Sequence, residues 1–68
     1  MNREEIAKEA LSSAYKTAIS DLFAVLIRAT VQAAGKKKEM DEAKQGFANG
    51  LVFIGSLYED AVKILTQQ

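Results

Sequence analysis

From Arg3 to Ala34 the chain contains neither proline nor glycine, and it is built mostly from Ala, Leu, Ile, Lys and Glu. Nothing in that stretch breaks a helix and most of it propagates one, so one long helix over about residues 3–34 is the simplest reading. Asn2 and Glu5 have the spacing of a capping box at its start. Glu4 and Lys8 stand in the favourable i, i+4 order.

Gly35 has the character of a C′ glycine in a left-handed conformation. Lys36, Lys37 and Lys38 follow it and suit the negative end of the preceding helix dipole. Glu39, Asp41 and Glu42 then supply the negative charge expected where a second helix begins, between Glu39 and Asp41. That helix is expected over about residues 40–66, with Glu59 and Lys63 as a further i, i+4 pair. Two helices of similar length joined by a short turn make an antiparallel αα-hairpin, an all-α single domain over residues 1–68. A three-helix variant broken near Ser20 is the alternative; a β reading of the FAVLI and LVFIG runs leaves two short strands too isolated for a sheet.

In the first helix Leu11, Tyr15, Ala18, Leu22, Val25 and Ala29 step by four and three onto one face, while Lys8 and Glu4 interrupt its backward extension. In the second, Phe47, Leu51, Ile54 and Tyr58 are expected to face the hairpin core, with Gly46, Gly50, Phe53 and Leu57 on a flank beside it. Each apolar arc spans about half the circumference, whereas a single partner helix needs only about 100° of it. The surplus calls for another subunit. A chain of 68 residues also sits near the size at which one core barely offsets chain entropy, and the absence of cysteine and histidine removes disulfides and most metal staples. A homo-oligomeric helical bundle, dimer or larger, follows as the expectation, with Leu22, Val25, Leu26, Ala29, Gly46, Gly50, Phe53 and Leu57 as its interface.

Nine basic and nine acidic residues cancel, so no global field would gather nucleic acid, anionic membrane or acidic substrate. The acidic start argues against a signal peptide, the apolar runs Leu22–Ile27 and Gly50–Gly55 fall short of a membrane span, and missing cysteine fits a cytoplasmic protein. Catalysis is hard to assemble without histidine or cysteine and with no Ser, Lys and carboxylate grouping. No metal or cofactor is expected.

The helix-interior glycines Gly46 and Gly50 each cost about 1 kcal/mol against alanine. Close approach of a neighbouring helix would compensate; so would a ligand pocket formed by Tyr15, Gly46, Phe47, Gly50 and Tyr58 around a flat, nucleotide-type molecule between subunits. Lys36, Lys37 and Lys38 could contact an anion, though three lysines followed by acids more often form a solvated turn. Asp21 and Arg28 share a narrow polar strip and suit a register-fixing pair across an interface. The architecture is similar to that of plasmid-encoded regulators that are αα-hairpin dimers gripping RNA, but those use a basic helix face, which this chain lacks. Lys44, Gln45, Gly46 and Phe47, in a small helical hairpin, resemble over four residues a stretch of phage proteins that sequester cyclic nucleotide signals in oligomers; the resemblance transfers no site residues. The expected function is non-enzymatic: a small helical oligomer acting on another protein as adaptor, inhibitor or assembly factor. Ligand sequestration and RNA or DNA binding through Lys36–Lys38 are the alternatives.

Overall fold

The computed structural model describes residues 2–67 and contains two helices, α1 (Arg3–Ala33) and α2 (Lys37–Thr66), packed side by side as a hairpin. Asn2 is the N-cap of α1: its side-chain oxygen accepts the Glu5 amide hydrogen at 2.8 Å. Among the described residues the ion pair that forms is Glu4 with Lys8, at 3.3 Å across one turn; Glu59 and Lys63 do not close into the second expected pair. The α1 helix passes through Ser12, Ser13 and Ser20 without interruption.

The connection is tighter than the sequence suggests. Ala34 (φ 51°) and Gly35 (φ 82°) both take the left-handed conformation, so the reversal that glycine alone was expected to provide is shared with an alanine. The Ala34 amide donates to the Val31 carbonyl and the Lys36 amide to the Ala33 carbonyl, which gives partners to two of the four carbonyls that the end of α1 leaves free. The second helix starts at Lys37 rather than between Glu39 and Asp41. Lysine is a good helix former, so nothing stops the helix from extending back into the basic run. The consequence is electrostatic. Lys37 and Lys38 oppose the dipole of the helix they begin, Lys36 caps it without a side-chain hydrogen bond, and only Glu39 in the first turn offsets them.

Packing runs along the full length of the pair. On α1 the half-buried residues include Leu11, Tyr15, Ala18, Leu22, Leu26 and Ala29, the expected stripe with one correction: Leu26 takes the inner position and Val25 is 54% exposed. After Leu22 the step that keeps the seam facing α2 is four, not three. Phe47, Leu51, Ile54 and Tyr58 are half-buried on α2, where Tyr15 stacks on Tyr58 (centroids 4.5 Å apart, planes 14° from parallel) and Phe23 meets Phe47 edge-on at 6.2 Å.

The hairpin has a seam but almost no interior. Among the described residues only Ala33 is buried, and the Cα extents are 50 × 17 × 7 Å, one helix layer thick. Its radius of gyration, 15.8 Å, compares with about 11 Å for a compact domain of this length. Stable domains bury apolar surface between at least two layers, and here the second layer is missing from the single chain.

Candidate functional site

The exposed large apolar side chains are Ile6, Phe23, Val25, Ile27 and Val31 on α1 and Val52, Phe53, Leu57 and Ile64 on α2. Those on α2 are organised. Phe53, Leu57 and Ile64 are spaced by four and seven and form one ridge beside the seam, while Val52 stands apart at 74% exposure. Next to that ridge runs a mostly apolar groove of about 490 Å³ between the helices, bounded by Leu11, Ala14 and Ala18 on one side and Leu57, Ala61 and Ile64 on the other, with Tyr15 and Tyr58 at its floor and Asp60 as the one charged residue in its lining. It continues toward the open end past Ala7 and Leu65.

A second, smaller groove of about 260 Å³ lies toward the turn, between Val25 and Ala29 on α1 and Ala43 and Gly46 on α2. Ala14, Ala18, Val25 and Ala29 are spaced by four, seven and four, so both grooves open on the same flank of α1 and on one broad face of the hairpin. Between them Leu22 sits over Gly50: a Cβ added to Gly50 would lie 2.8 and 2.9 Å from the two Leu22 methyls. Gly50 therefore serves close approach inside the chain. At Gly46 an added Cβ would meet nothing within 4 Å.

Of the eight residues expected at an oligomer interface, Leu22, Leu26, Ala29 and Gly50 are half-buried in the intrachain seam, and Val25, Gly46, Phe53 and Leu57 are exposed beside it. Ile64, outside those eight, shares their helical phase: it extends the Phe53 and Leu57 ridge by two turns and is 57% exposed. Of the five residues considered for a ligand pocket, Tyr15 and Tyr58 line the larger groove, Gly46 and Phe47 the smaller one, and Gly50 is filled by Leu22. Within the single hairpin they do not line one cavity. Neither groove is lined by lysine or arginine, so a phosphate would find no cation there.

Lys36, Lys37 and Lys38 are exposed at the turn, at the far end of α2 from the larger groove. Asp21 and Arg28 are exposed on α1 and unpaired with each other. Among the described residues no group of three carboxylates gathers as a metal site would require. By length and composition α1 is apolar enough to cross a membrane, a property that α2 does not share, and none of its most apolar 18-residue stretch is buried in the single hairpin; signal sequences and the core helices of soluble proteins meet the same criterion. No family of known proteins, no curated protein and no solved structure matches the chain.

Proposed function

We propose that this protein works as a non-enzymatic helical homo-oligomer whose activity is protein–protein association, as an adaptor, inhibitor or assembly factor. The observation that carries the proposal is exposed area. The hairpin presents 5301 Å² to solvent, about 1,100 Å² more than the roughly 4,200 Å² expected of a folded monomer of 7.4 kDa. A stable dimer buries about 800 Å² on each partner. The excess is thus of the size that one subunit contact removes, and Phe53, Leu57 and Ile64 are among the large apolar side chains left exposed.

Burial of that surface also supplies the driving force that a single layer lacks, since apolar area contributes about 25 cal/mol per Å² removed from water. A cytoplasmic location suits such a module and belongs to the same proposal. Native mass spectrometry of the freshly purified protein tests the reading, because it reports stoichiometry and retained ligand together. Multiples of the chain mass without added mass support the oligomer. A monomer refutes it, and an oligomer carrying a small molecule replaces it with the ligand-sequestering reading.

A further inference from the structure

We infer that the grooved face of the hairpin is where a second copy of this chain docks, with the Phe53, Leu57 and Ile64 ridge of each copy seated against the groove of the other. The inference rests on the oligomer proposed above and assigns its contact surface. Ridges packing into grooves are the general mode of helix association, and this face carries both parts side by side. A surface with ridge and complementary groove adjacent can satisfy itself in an isologous dimer.

The opposite face is less suited. It too exposes apolar side chains, Phe23 and Ile27, but Phe23 already packs edge-on against Phe47, and the half-buried residues along it include the polar Ser12 and Thr30, the Thr30 hydroxyl donating to the Ile27 carbonyl at 2.9 Å. Spanning a bilayer is a poorer use of the grooved face than docking a second copy, because α2 carries Gln45, Asn49, Ser56, Glu59, Asp60 and Lys63 along its length and these would have to enter hydrocarbon with it. A second copy is the occupant the area admits: the excess over a compact monomer, about 1,100 Å², covers the roughly 800 Å² that each partner of a stable dimer buries.

The chain has no cysteine, so single cysteines report local access without background. Leu57→Cys and Val52→Cys place the thiol at positions 52% and 74% exposed in the single hairpin, where alkylation by iodoacetamide would differ by less than about twofold if exposure alone set the rate. In the full-length protein at a concentration where the oligomer forms, alkylation of Leu57→Cys is expected to be at least about tenfold slower than that of Val52→Cys, since the core of an interface excludes water. Circular dichroism confirms that each variant keeps wild-type helicity, and Ile64→Cys replaces Leu57→Cys if the latter does not. Equal rates in an oligomer that native mass spectrometry still detects would overturn the assigned face while leaving the oligomer standing. A wild-type chain that is monomeric alone yet sediments with phosphatidylcholine and phosphatidylglycerol vesicles would overturn both.

Discussion

Gly46 and Gly50 stand one turn apart on the same flank of α2, yet they solve different problems. Gly50 is filled from within the chain: the Leu22 methyls lie where its side chain would begin, so Leu22 packs directly on the α2 backbone at mid-hairpin. Gly46 faces the smaller groove, with nothing within 4 Å of where its Cβ would lie. The cost of a helical glycine is the same at both positions, about 1 kcal/mol, but only at Gly50 does intrachain packing offset it. The contrast marks where folding of the hairpin ends and where a surface for something else begins.

The largest effect should come from filling the occupied site. Gly50→Val forces Leu22 off its position along the seam, and overpacking of this kind costs about 1–3 kcal/mol. Urea denaturation would read the loss as a lower midpoint; an unchanged midpoint would mean that Leu22 moves aside freely and that the seam does not depend on Gly50. Filling the open site should act in the other direction and less strongly. Gly46→Ala removes the glycine penalty without meeting any atom of the chain, a gain of about 1 kcal/mol, or a rise in melting temperature of about 4–8 °C for a domain of this size. A fall instead would show that a second copy already presses against Gly46 and would shift the docking surface toward the turn.

Much of the hairpin was legible in the residues. The proline-free first helix, the Asn2 cap and the turn at Gly35 follow from local chemistry, which acts within a few residues. The start of α2 was not, because the basic run from Lys36 to Lys38 reads equally as a solvated turn or as a first helical turn, and only the left-handed Ala34 decides that the chain has already reversed. The exchange of Val25 for Leu26 at the seam has a similar origin: both fit the periodicity within one step, and the rotation of α1 against α2 chooses between them.

The distinction between the two glycines lay furthest from the sequence. Helical phase puts Gly46 and Gly50 on one flank, and whether a flank is covered depends on the register of the facing helix, here the position of Leu22. No pattern within α2 alone contains that register. The same limit holds for the ridge and groove, which become adjacent only after the turn has fixed how far α1 slides along α2.

The uncovered face of a one-layer hairpin is the feature on which the functional reading depends, and sedimentation equilibrium at micromolar concentration probes it most directly. The expected result is a mass at a whole multiple of 7.4 kDa, two or greater, with helicity and melting temperature that fall together on dilution as mass action requires. A fully helical species that sediments as a monomer and melts at the same temperature at every concentration would contradict it.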